Sequence, residues 1–200
     1  MQAMNELEFL RNPQSIILND DINSASPNGK TALMILASGL SIFSNKKFSE
    51  NAESDIVIKK NIEREAIISL LGLGANMDIR NPYTGETATH YCVKEDRVDL
   101  LKIFINRGAS IHIKDYAGIN LIHLAVKYDS INCLGLLLST FVGDINSRDN
   151  VSGESPIVAA VKNFNFTLLE NLIIRGCNLN IVDNNGMNVL HWAAKIGNFD

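Results

Sequence analysis

Residues 115–126 read D-Y-A-G-I-N-L-I-H-L-A-V, and residues 183–194 read D-N-N-G-M-N-V-L-H-W-A-A. Between them lies D-N-V-S-G-E-S-P-I-V-A-A-V (149–161); before them come N-P-Y-T-G-E-T-A-T-H-Y-C-V (81–93) and S-P-N-G-K-T-A-L-M-I-L-A (26–37). Each segment opens on turn-forming residues ending in glycine and passes into a short apolar run. Gly85, Gly118, Gly153 and Gly186 stand 33, 35 and 33 residues apart, and a second series, Gly74, Gly108, Gly143 and Gly176, runs between them at 34, 35 and 33. Two interleaved series with one period mean one supersecondary unit repeated along the chain. Such an array buries its core only between neighbouring units and shows a long continuous surface, which points to binding rather than chemistry.

The local signals are helical. Thr31, Thr87 and Ser155 stand where a helix would begin, with Asn120 and Asn188 in the same slot. All five can accept from a free backbone N–H of a first turn. Pro156 follows as a first-turn proline, where no donor is lost. The first apolar run of each unit carries small residues, Cys92, Ala125, Ala160, Ala193 and Ala194, which let neighbouring helices approach closely. The second run is richer in branched side chains, as at 100–105 and 168–174, with Leu101, Leu137 and Leu172 in core positions.

These units, with their exits G-A-N-M-D-I (74–79), G-A-S-I-H-I (108–113), G-D-I-N-S (143–147) and G-C-N-L-N-I (176–181), resemble the ankyrin repeat over roughly residues 22–200. The resemblance implies an all-α solenoid of helix-turn-helix units whose hairpin-like turns protrude at 81–85, 114–118, 149–153 and 182–186. It implies a capping segment at 1–21 and about five repeats: 22–78 with an insertion at about 38–64, then 79–112, 113–146, 147–181 and a truncated 182–200. The last copy stops where its second helix should begin, so the chain reads as part of a longer protein.

The 56 residues between Gly29 and Gly85 exceed one period by about 23 residues. The first part of this insertion, 44–55, is polar and reads as a loop. The second, 56–71, carries Ile58, Ile62, Ala66 and Leu70 at a four-residue step and reads as a lengthened second helix capped by Asp55.

Composition narrows the function. No apolar run approaches the length of a membrane span, and the N-terminus lacks a basic-then-apolar leader. A net charge of −4 without a basic tract argues against nucleic acid. Asn and Ile, at 24 residues each, suggest an AT-rich genome. The three cysteines, Cys92, Cys133 and Cys177, fall at small-residue or helix-core slots separated by the repeat, which argues for free thiols and a cytosolic setting. His90, His123 and His191 recur at one slot and, by the resemblance, are hydrogen-bonding tethers between turns; a solenoid spreads them too far apart to share a metal. His112, in an exit, reads as solvated. Phosphate-loop, zinc-helix, nucleophile-elbow and paired Cys-x-x-Cys patterns are missing, so no catalytic, cofactor or metal residue is assigned.

The resemblance places a partner on the turn tips and the exposed side of the first helices. Tyr83 and Tyr116 stand two residues before their glycines. A tyrosine there either offers a partner rigid amphipathic contact area or lies against the neighbouring turn. Lys94, Lys127, Lys162 and Lys195 share one slot of four consecutive units. Helices about 8–10 Å apart would make them a basic strip favouring an acidic segment. With Tyr128, the expected contact residues are Tyr83, Tyr116, Lys94, Lys127, Tyr128 and Lys162. Two function classes follow: a non-catalytic protein-binding scaffold, such as a cytosolic adaptor or a bacterial effector delivered into a host cell, or the substrate-targeting part of a multidomain enzyme.

Overall fold

Glycine-bounded apolar runs too short to be stable helices in isolation form paired helices here, because each pair is covered by the next. The structure, a computed structural model, describes residues 22–39, 52–140 and 144–197, with the backbone alone at 52–59. The capping segment 1–21, the polar stretch 44–51, Gly143 and the last three residues lie outside the described residues.

The described helices are α1 (Ala32–Ala37), α2 (Ala52–Gly72), α3 (Ala88–Lys94), α4 (Val98–Asn106), α5 (Leu121–Lys127), α6 (Ile131–Ser139), α7 (Pro156–Lys162), α8 (Phe166–Ile174) and α9 (Val189–Ile196). The odd-numbered first helices pack in a row, α1 on α3, α3 on α5, α5 on α7 and α7 on α9. The second helices form a row behind them, α4 on α6 and α6 on α8, and α2 packs on α1. Among the described residues there is no strand, only an isolated antiparallel bridge between Ala25 and Thr31. This is the all-α solenoid the sequence predicts.

The first helices begin as their capping residues dictate. Thr31 Oγ1 accepts from Met34 N at 3.4 Å, Asn120 Oδ1 from His123 N at 2.9 Å and Asn188 Oδ1 from His191 N at 3.0 Å. Ser155 differs: it holds the cap position, but its buried hydroxyl has no partner among the described residues. Pro156 there supplies a preset φ instead. Cys92, Ala125 and Ala160 are fully buried between helices, and Leu101, Leu137, Leu172 and Phe104 fill the layer between the two rows.

Helix α2 departs from the sequence reading in two ways. It begins at Ala52, so Asp55 lies in its first turn rather than capping it. No glycine or proline interrupts 52–55, and acidic residues are favoured in a first turn. Its buried face is also not the expected stripe. Glu63, Ile67 and Leu70 are buried, while Ile62 is 46% exposed and Ala66 half-buried. A four-residue step advances 400°, so it drifts about 40° around the helix per step and cannot keep one face over 58–70. Arg97 fixes the true register: it donates from Nη2 to Glu63 Oε2 at 2.6 Å and from Nη1 to the Leu36 carbonyl at 2.8 Å.

Candidate partner-binding face

The turns protrude because each one is stitched to the next by its main chain. Tyr116 N donates to the Thr84 carbonyl at 3.0 Å, Asn150 N to Ala117 O at 2.8 Å and Asn184 N to Ser152 O at 2.9 Å. In the preceding junction the equivalent residue is Pro82, which has no N–H. The Asn81 side chain takes over, donating from Nδ2 to the Asn28 carbonyl at 3.1 Å. The result is a line of tips joined at equivalent positions, so side chains at repeated slots stand in line.

Of the three histidines at this slot, His123 ties its helix to this line, while His191 bonds Asn188 within its own unit and makes no link to another turn among the described residues. Thr87 N donates to His90 Nδ1 at 3.1 Å, within the same unit. His123 Nε2 lies 3.0 Å from the Glu154 carbonyl, an acceptor only, so that nitrogen carries the proton and donates to the following turn. Burial pushes the pKa of His90 down to about 4, against the opposing pull of Glu86, and lowers that of His123. His90 is therefore neutral near pH 7 and is held by Thr87 of its own unit, whereas His123 is hydrogen-bonded to the following turn. His112 is exposed. Cys92, Cys133 and Cys177 are free and buried, and burial raises each thiol pKa.

The two tip tyrosines differ. Tyr83 is 71% exposed, with its hydroxyl 3.4 Å from the Pro27 carbonyl. Tyr116 is 57% exposed, with one edge of its ring against Gly85 of the preceding tip and the Arg80 guanidinium 5.0 Å from its ring centroid. Counting back from glycine placed them in one slot. The turn at 81–85 has an extra residue, Gly85 N bonding back to Asn81 O where Gly118 N bonds to Asp115 O, so Tyr116 matches Pro82 instead.

The lysines are not four equal cations either. Lys94 pairs with Glu86, and Lys162 Nζ lies 2.6 Å from Glu154 Oε1. The acid follows the tip glycine directly in both units, a Gly-Glu pair eight residues ahead of its lysine that sequence reading overlooked. In the unit between them Ile119 takes the acid's place, and the exposed Lys127 has no carboxylate or other hydrogen-bond acceptor among the described residues. Met187 does the same before Lys195.

Aromatic rings alternate with these cations. Lys30 and Lys94 lie 5.1 and 5.4 Å from the Tyr91 centroid, Lys94 and Lys127 lie 5.6 and 5.9 Å from Tyr128, and Lys162 and Lys195 lie 4.3 and 4.7 Å from Trp192. Such contacts hold an ammonium over a ring at little cost in hydration. Trp192 donates through Nε1 to Asp183 Oδ2 at 2.8 Å, a contact absent from the sequence reading. Between the turn at 149–154 and the helices α5 and α7 lies a groove of about 430 Å³, more apolar than polar, with Lys127 and Lys162 on its border.

A row of stacked helix pairs with a fixed line of turns and a mixed aromatic and cationic face defines a repeat scaffold for recognition. Residues 56–149 match the family model for ankyrin repeats (3 copies). The chain is 30% identical over 190 residues, 94% of its length, to Neurogenic locus notch homolog protein 1 of Danio rerio. It is 31% identical over 182 residues, 90% of its length, to Neurogenic locus notch homolog protein 2 of Homo sapiens. The matched stretch is 7% of the length of each of these relatives. The chain is an ankyrin-repeat protein. Ankyrin repeats are protein–protein interaction units and in general are not catalytic. No described helix is long and apolar enough to cross a membrane.

Proposed function

We propose that this chain is a non-catalytic scaffold that binds a protein partner through its turn tips and the exposed side of its first helices. The observation that carries the reading is the main-chain stitching of successive tips, which holds Tyr83, Tyr116 and the row Lys94, Lys127, Tyr128 and Lys162 in register. Unpaired Lys127 favours a partner segment that is acidic. The setting in this proposal is a cytosol, that of the producing cell or of a host cell entered as an effector, in keeping with three buried thiols and no disulfide among the described residues.

The test is capture of a partner by the 200-residue chain, followed by binding measurements with variants. Tyr83→Ala together with Lys127→Glu should weaken the captured partner by tenfold or more. Unchanged affinity in those variants, with affinity lost in variants of residues 44–60, would move the site to the insertion. A second reading, a substrate-targeting module of a larger enzyme, takes support from the relatives, in which the matching stretch is a small part of a long protein.

A further inference from the structure

Four units carry a lysine at the same slot of the first helix, yet only two carry the acid that neutralises it. Lys94 has Glu86 and Lys162 has Glu154; Lys127 has Ile119 at the corresponding position. That exchange does two things at one place. It leaves the ammonium of Lys127 with its donors unused, and it adds a branched aliphatic side chain to the wall of the groove between the third and fourth units, beside Ala117, Ala159 and Val151.

The groove holds other charges, and they are already committed. Glu154 is paired with Lys162. The Asp149 carboxylate accepts from the N–H groups of Val151, Ser152 and Glu154 and from the Ser152 hydroxyl, all between 2.7 and 2.9 Å. Desolvation works against ionisation there, but these four bonds outweigh it and hold its pKa below the ordinary value. Of the charged groups lining the groove, Lys127 is the one with neither an ion-pair nor a hydrogen-bond partner among the described residues, and it stands next to an apolar floor.

We propose, resting on the scaffold reading above, that this groove is the specificity pocket of the face. Its occupant is a partner-protein segment in which an Asp or Glu stands beside a bulky aliphatic residue. The carboxylate bonds Lys127, and the aliphatic side chain covers Ile119 and Ala159. The paired lysines at the second and fourth units are then spacers that repel neither sign, which breaks the strip into separate acid-recognising units, the third at Lys127 and the last at Lys195. Complementary charge of this kind selects and orients a partner more than it adds affinity.

The experiment is a titration of the isotope-labelled 200-residue chain with two capped peptides, Gly-Ser-Glu-Leu-Gly-Ser and Gly-Ser-Gln-Leu-Gly-Ser, followed by amide resonance shifts. The expected result is saturable movement of the amides of Ile119, Lys127, Val151 and Ala159 by the glutamate peptide, with at least fivefold weaker binding of the glutamine peptide. Lys127→Gln should erase that preference. Ile119→Glu should erase it as well, by giving Lys127 the internal partner its neighbours have, and Glu154→Gln should add a second responsive cation at Lys162. Equal binding of both peptides, or a glutamate preference that survives Lys127→Gln in a folded variant, overturns the pocket assignment while leaving the scaffold reading in place. Failure of the scaffold reading shows differently, as a captured partner whose contacts lie off this face altogether.

Discussion

The Tyr116 ring lies against Gly85 so closely that a Cβ built on the glycine would stand 2.6 Å from Tyr116 Cδ1 and 2.8 Å from its backbone nitrogen. That nitrogen is the donor of the tip-to-tip bond to Thr84, so the glycine, the ring and the stitching are one contact.

Gly85→Ala should therefore destabilise on two counts. The φ of +77° is left-handed, costing about 1–2 kcal/mol for an L side chain, and the backbone of the next tip must move. Gly186 has φ +73° with open space around it, so Gly186→Ala should cost the conformational part alone. Urea unfolding of both variants followed by far-UV dichroism, with the single tryptophan, Trp192, reporting on the last unit, checks the ordering Gly85 over Gly186.

Leu137→Ala removes a side chain 1% exposed between the two helix rows, and Leu101→Ala and Leu172→Ala remove fully buried ones. Each should cost about 2–5 kcal/mol in equilibrium denaturation, at the upper end where both neighbouring units hold the walls of the cavity apart. A loss below about 1 kcal/mol at all three would mean that the layer collapses around the gap.

Arg97 and Glu63 form an ion pair that is nearly out of solvent, with side-chain exposures of 11% and 4%. Arg97→Met leaves the Glu63 carboxylate buried without its cation and should cost roughly 3–5 kcal/mol. Adding Glu63→Met removes the stranded charge, so the double variant should recover much of that loss. A double-mutant cycle by denaturant melts measures the difference.

His90 makes stability depend on pH in a definite direction. Its folded pKa, about 4, lies below its ordinary value of 6.5, so in that window the unfolded chain binds the proton and the folded chain does not. Stability is full above 6.5 and is lost as pH falls towards 4. Between pH 7 and pH 5 the contribution of His90 should fall by about 2 kcal/mol. A fully folded His90→Gln variant should show a correspondingly flatter profile, and equal slopes would contradict the assignment.

Much of this architecture was legible in the sequence, because the spacing of turn glycines and capping residues is itself the physical specification of the unit. Thr31, Asn120 and Asn188 announce helix starts by chemistry alone. The register of α2 was not legible, since Ile62 and Glu63 exchange roles only once Arg97, 34 residues further on, reaches back to the glutamate. Nor was the inequality of the lysines recognised, although Glu86 and Glu154 stand in plain view; pairing across eight residues requires knowing that the turn folds back over its own helix. Tyr116 was misaligned with Tyr83 because a count from glycine cannot see which turn has gained a residue.

Main-chain bonds hold the tips from Thr84 to Asn184, with the asparagine side chain of Asn81 at the single proline junction. At positions 116, 150 and 184 any residue other than proline supplies the same rung, and proline is admitted where an asparagine precedes it. Side chains such as Tyr116 and Asn184 add to these junctions, but the rung itself asks nothing of the outward side chains. Mutation can redraw the recognition surface one letter at a time while the solenoid beneath it keeps its shape, and a lineage carrying this scaffold can change its ligand without inventing a new fold.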